Sequence, residues 1–187
     1  MSKNQTLTPW QVLTSKTIHA TNWIKLIEDK CLVSGHEITY TFTKKLDEGP
    51  MIIAEDAGKL WLVKQYRHPI KKIVWQFPLE GKTSSENWET AAKRGLAEEL
   101  SLEAKTWQNL GEFYPDPGGL DQKYQIYLAT DLQPTNSKNH QDIDEELIIE
   151  KFSRSEIDEL IRTGEICDNW TLAGLYIYDN FKRNKLT

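Results

Sequence analysis

The sequence predicts an α+β sandwich, with helices packed on a mixed sheet. Three observations lead there. Residues 37–42 alternate polar and apolar, and short apolar runs follow at 51–54 and 60–63, as strands do. A helical pattern then interrupts the strands at 87–100. Strand patterns return at 107–114 and 123–130, and two further helical stretches close the chain.

Each element has a local reason. Glu55, Asp56, Ala57, Gly58 and Lys59 form a short polar joint carrying Gly, which predicts a hairpin between the two apolar runs. Residues 73–77 predict another strand, ended by Pro78, which cannot donate to a ladder. Lys82, Thr83, Ser84 and Ser85 form a polar loop. Ser84 or Ser85 is the expected N-cap of the next helix, with Glu86 in its first turn, where the helix dipole favours a carboxylate. Trp88, Ala92, Leu96 and Leu100 fall at helical spacing and predict its buried stripe.

The later strands flank a loop of Pro115, Asp116, Pro117, Gly118 and Gly119. The polar stretch 133–146 is long for a connection, a length associated with function. Residues 147–149 predict a last short strand. A helix is expected at 155–163, stopped by Gly164, and a final one capped by Asp168 and running to Tyr178.

Composition sets the limits. The length of 187 residues suits one domain with room for a small appendage. Hydrophobic residues make up 39%, with seven Trp, which excludes disorder throughout. No apolar run approaches the roughly 20 residues a membrane span needs, and the first 22 lack the apolar core of a signal peptide. Cys31 and Cys167 stand far apart without metal-ligand spacing, so neither a disulfide framework nor a zinc site is expected. A reducing compartment fits, and the expected location is the cytoplasm. The 28 acidic side chains outnumber the 23 basic ones, giving a net charge of -5. That balance argues against non-specific nucleic-acid binding. Lys44 with Lys45 and Lys71 with Lys72 are local pairs only.

The carboxylates are the informative feature. Positions 95, 98 and 99 share one helix face. Glu98 and Glu99 splay by about 100°, and both can reach an ion lying over the groove between them. Hard cations such as Mg²⁺ take a few carboxylate oxygens plus substrate phosphates. Glu86 can join through a water, and Arg94 can hold a carboxylate in place with its planar fork. Spacing alone leaves this reading open beside a simpler one, a solvated charged helix.

The whole run resembles the signature of the Nudix hydrolases, Gly-x5-Glu-x7-Arg-Glu-apolar-x-Glu-Glu-x-Gly-apolar. Glu86, Arg94, Leu96, Glu98, Glu99 and Leu102 match it in spacing. Three positions depart. Gly95 stands where the family has a Glu that binds metal, Ser101 replaces the closing Gly, and Glu80 occupies the nominal first Gly because Gly81 lies one residue too close. A Gly in mid-helix costs about 1 kcal/mol relative to Ala. Three outcomes stay open for Gly95: a weakened metal site, another carboxylate reaching in, or lost catalysis.

The resemblance runs from about Trp23 to about Tyr178 and points to one branch. Gln65, Tyr66, Arg67, His68 and Pro69, then Trp75, Gln76, Phe77 and Pro78, resemble the approach to the box in ADP-ribose and nucleoside-diphosphate-sugar pyrophosphatases. So does the run from Gly111 through Pro115 to Gly118, and the run Leu128, Ala129, Thr130, Asp131 and Leu132. The resemblance implies a Nudix-type α/β/α sandwich with a mixed central sheet over residues 46–187, preceded by a small antiparallel β segment over 1–45. It implies metal ligands at Glu98, Glu99 and Glu86, with the backbone carbonyl near Glu80, for Mg²⁺ or Mn²⁺. It implies Arg67 on the diphosphate, with Gly118 also on the substrate side, and Arg94 in the catalytic machinery; Trp23, Trp75 and Phe42 are aromatics that can stack on a substrate base, beside the simpler reading that they belong to the core. The water-activating base falls in the late acidic loop, first at Glu145 and then at Glu146. The substrate is ADP-ribose or a related nucleoside diphosphate sugar, and the protein is expected as a homodimer through residues 17–42, with no nucleic-acid or membrane partner. A Nudix-fold nucleotide-binding module without turnover is the alternative, motivated by Gly95.

Overall fold

The computed structural model describes residues 7–135 and 147–185, and the chain divides into two units. In chain order the strands are β1 (Gln11–Ala20), β2 (Ile24–Val33), β3 (His36–Lys45), β4 (Gly49–Asp56), β5 (Lys59–Arg67), β6 (Lys72–Gln76), β7 (Leu102–Phe113), β8 (Leu120–Asp121), β9 (Tyr124–Pro134) and β10 (Ile148–Phe152). The helices are α1 (Trp88–Leu100), α2 (Arg154–Thr163) and α3 (Asn169–Lys185).

The first unit runs to Leu46 and takes in Asp116–Gln122. Its sheet has the order β1-β2-β3-β8. β2 and β3 form a hairpin whose turn residues, Ser34 and Gly35, both take positive φ, 50° and 83°. Two such residues give the turn twist that matches paired strands. β1 is exposed along its whole length, and its pairing with β2 shifts register twice, between Val12 and Thr14 and between Thr17 and His19. Those shifts break the period-2 signal, which is why the sequence does not announce this strand.

The second unit carries the sheet β10-β5-β4-β9-β7, with β6 paired to β5. β4 and β9 run parallel and the other pairs antiparallel, so the sheet is mixed, as expected. Alternate residues of β4 serve two cores. Met51 and Ile53 pack with Ile126 and Leu128, and on this side lie Ile157 of α2 with Leu175 and Tyr178 of α3. Ile52 and Ala54 pack with Tyr127 and Ala129 beneath Ala92, Leu96 and Leu100 of α1. This is the α/β/α sandwich. Strands buried on both faces read as continuous apolar runs, which is what residues 51–54 and 60–63 are.

Several boundaries differ from expectation. α1 is capped by Asn87, whose Oδ1 accepts from the Thr90 N–H at 2.8 Å, and not by Ser84 or Ser85. Glu86 therefore precedes the helix and is not in its first turn. Trp88 is half-buried at its start, while the fully buried face consists of Ala91, Ala92, Gly95, Leu96 and Leu100. β7 begins at Leu102, earlier than the expected 107, and β9 extends to Pro134 into the polar stretch. Polar side chains sit there across the ladder, with Gln133 donating to Glu103 at 2.6 Å. α2 starts in a full capping box of Ser153 and Glu156 and ends at Gly164. Asp168 caps the last helix as expected, accepting from the Thr171 N–H at 2.8 Å, but the helix continues past Tyr178 to Lys185.

The segment from Pro78 to Lys82 lies along β4 without being a regular strand. Ile52 N–H donates to Pro78 O at 3.0 Å, Glu80 N–H to Pro50 O at 3.1 Å, and Lys82 N–H to Glu48 O at 2.7 Å. Gly49 makes this approach possible: a Cβ there would stand 1.8 Å from the Glu80 carbonyl oxygen. Backbone cannot yield as a flexible side chain does. Gly49→Ala should therefore cost about 3 kcal/mol, read as a fall in Tm of roughly 6–12 °C. An unchanged Tm would show that the segment does not depend on this clearance.

Candidate active site

Arg94 is the centre of the arrangement. It projects from the middle of α1, one-third exposed, and its guanidinium meets three carboxylates. Nη1 lies 2.8 Å from Glu80 Oε1 and 3.2 Å from Glu98 Oε2. Nη2 lies 3.1 Å from Glu86 Oε1 and donates to the Gly81 carbonyl at 2.6 Å. A planar fork with five N–H donors can serve partners in several directions at once. Glu98 is placed by the helix itself, one turn beyond Arg94. Glu80 and Glu86 are placed by the loop that precedes α1.

The loop is pinned at its far end too. Glu86 Oε2 accepts from Thr83 Oγ1 at 2.7 Å, and Thr83 Oγ1 lies 3.3 Å from Ser85 Oγ. The Thr83 hydrogen bond is the main influence holding the Glu86 carboxyl below its ordinary pKa; burial opposes it and Arg94 adds to it. Glu80 moves the other way. Burial pushes its carboxyl up, the hydrogen bond and charge of Arg94 pull it back, and the charge of Glu98 pushes it up again, leaving it raised. Burial works against the charge on Arg94, yet Glu80 and Glu86 outweigh it and raise its pKa above the usual guanidinium range.

Gly95 is explained by what fills the space beside it. A Cβ on residue 95 would stand 2.6 Å from Glu80 Cβ, 2.9 Å from Glu80 Cγ and 3.0 Å from Ile52 Cδ1. Forcing a side chain into such a site costs typically 1–3 kcal/mol, more than the about 1 kcal/mol that Gly loses to Ala in a helix. Gly is the better residue here while Glu80 keeps its place.

The structure thus brings Glu80, Glu86, Arg94 and Glu98 together, with Glu99 next to Glu98 on α1. As donors these oxygens suit a hard divalent cation. Among the described residues no three acidic, imidazole or thiol side chains converge as a ready metal site, and Glu80, Glu86 and Glu98 each pair with Arg94. Arg67 ends β5, and its Nε donates to Oε1 of the buried Gln76 at 2.6 Å. Among the described residues no carboxylate pairs with it. Trp23, 71% exposed, and Gly118 belong to the first unit. There Gly118 accepts a hydrogen bond from the Tyr40 hydroxyl. Glu145 and Glu146 lie outside the described residues.

Sequence reasoning gave Glu80 a role only through its backbone carbonyl and gave Gln76 none. The side-chain role of Glu80 had one visible sign: a Glu at the nominal Gly position and a Gly at a nominal Glu position within the same motif.

Comparison with known proteins bears on this geometry. The NUDIX domain pattern matches residues 45–166. The chain is 26% identical over 170 residues to the ADP-ribose pyrophosphatase of Mycobacterium tuberculosis (strain ATCC 25618 / H37Rv), covering 89% of this chain and 81% of that protein. It is 25% identical over 166 residues to the ADP-ribose pyrophosphatase of Bacillus subtilis (strain 168), covering 89% and 87%. The crystal structure of an ADP compounds hydrolase superposes with a TM-score of 0.86 at 18% identity, over 97% of this chain and 98% of that one, and shares the fold. The carboxylates gathered on Arg94, from the loop before α1 and from α1 itself, fall inside the matched region, and the chain belongs to the NUDIX domain family as a Nudix hydrolase.

Proposed function

We propose that this protein hydrolyses the diphosphate linkage of ADP-ribose or a related nucleoside diphosphate sugar, with Mg²⁺ (Mn²⁺ in its place), to a nucleoside monophosphate and a sugar phosphate. The observation that carries the reading is the set of carboxylates around Arg94, in a chain whose relatives include two ADP-ribose pyrophosphatases. A cation bound there supplies charge neutralisation for the diphosphate. Glu98 and Glu99 would hold it, with Glu86 close by.

The chain's own residues do the rest. Arg94 keeps the loop and the helix in one arrangement, so that the carboxylates are in place before substrate arrives. Arg67 binds phosphate oxygens with its two terminal nitrogens, while Gln76 holds Nε and sets the plane of the fork. Glu145, or failing it Glu146, takes the proton from the attacking water. The reading carries with it a cytoplasmic homodimer through residues 17–42, and the exposed length of β1 is the surface nearest in sequence to serve it. No helix among the described residues is long and apolar enough to cross a membrane.

The direct test is incubation with ADP-ribose and Mg²⁺, following AMP and ribose 5-phosphate. Turnover abolished by a chelator and restored by the metal is the expected result. No release across a panel of nucleotide sugars and divalent metals would reject the reading, and calorimetric binding without release would favour the module that Gly95 first suggested.

Arg67→Ala should raise KM about 10- to 100-fold with little change in Tm, because it removes a charged hydrogen-bonding partner of the substrate. A loss confined to kcat would place Arg67 elsewhere in the reaction.

Glu86 makes a pH prediction. Its folded-state pKa is depressed below the ordinary 4.5, so its contribution to stability is present above 4.5 and is lost as the pH falls through the lower folded value. The gap in Tm between the natural protein and Glu86→Gln should be widest near neutral pH and shrink as the pH is taken down from 4.5. A gap that widens in acid would reverse the assigned sign.

A further inference from the structure

A buried glutamine stands beside Arg67. Gln76, 1% exposed, ends β6 opposite Val63 of β5. Side chains alternate along an extended chain. Trp75, Phe77 and Leu79 pack on the side of α2 and α3. Gln76 and Glu80 therefore face the other way, towards α1, where Glu80 meets Gly95 and Val63 packs beneath the helix. Val63, Gln65 and Arg67 alternate in the same way on β5, so Arg67 shares this face.

Arg67 settles how the amide of Gln76 is turned. A guanidinium has donors only, so the atom that receives its Nε–H at 2.6 Å is the oxygen of Gln76. A flipped amide would set N–H against N–H. The NH2 group is thereby fixed on the far side of the amide from Arg67. Among the described residues it has no hydrogen-bond partner, and neither have Nη1 and Nη2 of Arg67. The amide nitrogen is not one of the polar atoms closed off without a partner, so the little surface that Gln76 keeps lies on that side. Polar groups this deep in a protein are nearly always paired, and a donor left open there is costly. Three nitrogens on one face thus offer donors and a positive charge, with no acceptor among them. That combination suits a ligand built only of acceptors and carrying negative charge, and a phosphate group is one.

We propose that Gln76 is itself a substrate-binding residue: its amide NH2 donates to an oxygen of the diphosphate that Arg67 holds. The proposal rests on the reading above, in which Gln76 only orients Arg67.

A double-mutant cycle with Arg67→Ala separates the two roles. Affinity for ADP-ribose is measured by calorimetry with a chelator present, and KM and kcat with Mg²⁺, with Tm followed in parallel. If Gln76 touches the diphosphate, adding Gln76→Met to Arg67→Ala weakens affinity and raises KM by about a further tenfold, with kcat little changed. Equal values for the single and the double variant overturn the proposal and leave Gln76 a residue that positions Arg67. Gln76→Glu is the second variant, because it keeps the shape and an acceptor for Nε while a charged acceptor takes the place of the donor. Its KM should rise about tenfold or more. A KM no higher than that of the natural protein would overturn the proposal as well, with the ADP-ribose reading intact. If the natural protein neither binds nor hydrolyses ADP-ribose or another nucleotide sugar, that reading falls, and this one with it.

Discussion

The site hangs on one side chain. Arg94 is anchored in the helix, yet most of its partners come from the loop before it: Glu80, Glu86 and the carbonyl of Gly81. Removed from that guanidinium, three carboxylates would repel one another and the loop would lose its register on α1. A lysine could not replace it, because a point charge on a flexible stem serves one direction at a time while the planar fork serves several. The same side chain assembles the carboxylates and neutralises part of their charge, so the arrangement is held together by the chain's own residues.

Space matters as much as charge. The segment from Pro78 to Lys82 is threaded between β4 and α1, and a glycine stands on each side of it, Gly49 in the strand and Gly95 in the helix. Each is unfavourable judged by its own element, since Gly weakens strand and helix alike. Each is favourable judged by the segment it admits. Local propensity loses to tertiary fit at the positions that build the site, which is where such conflicts are expected.

Much of the fold was legible because two-sided burial leaves a plain mark. Met51, Ile52, Ile53 and Ala54 feed two cores by turns, so the run is apolar throughout, and its hairpin joint carries Gly58. β1 left no such mark, being exposed on both faces and twice out of register. The start of α1 was ambiguous because Ser84, Ser85 and Asn87 all carry capping side chains. Glu86 is drawn to Arg94 and holds the Thr83 hydroxyl, a tertiary tie invisible in a local pattern, and Asn87 is the cap. Within the site, the spacing of Glu86, Arg94 and Glu98 could be read because a helix has a fixed period. The side chain of Glu80 could not, because its place is defined by a contact between a loop and a helix, and no period links the two.

The parallel pairing of β4 with β9 has a consequence for how the chain reaches this state. Gly49 pairs with Tyr124 and Ala54 with Ala129, so one whole side of β4 waits for a partner made much later. The loop and α1 lie between them in sequence, and Tyr127 and Ala129 form part of the floor on which α1 rests. Closing so long a stretch of chain costs entropy before any contact repays it, which slows folding. On a ribosome, α1 and its arginine emerge before the β9 part of their floor exists. The helix can form early from its own cap and period, but the packing beneath it is completed late, when β9 slots in beside β4.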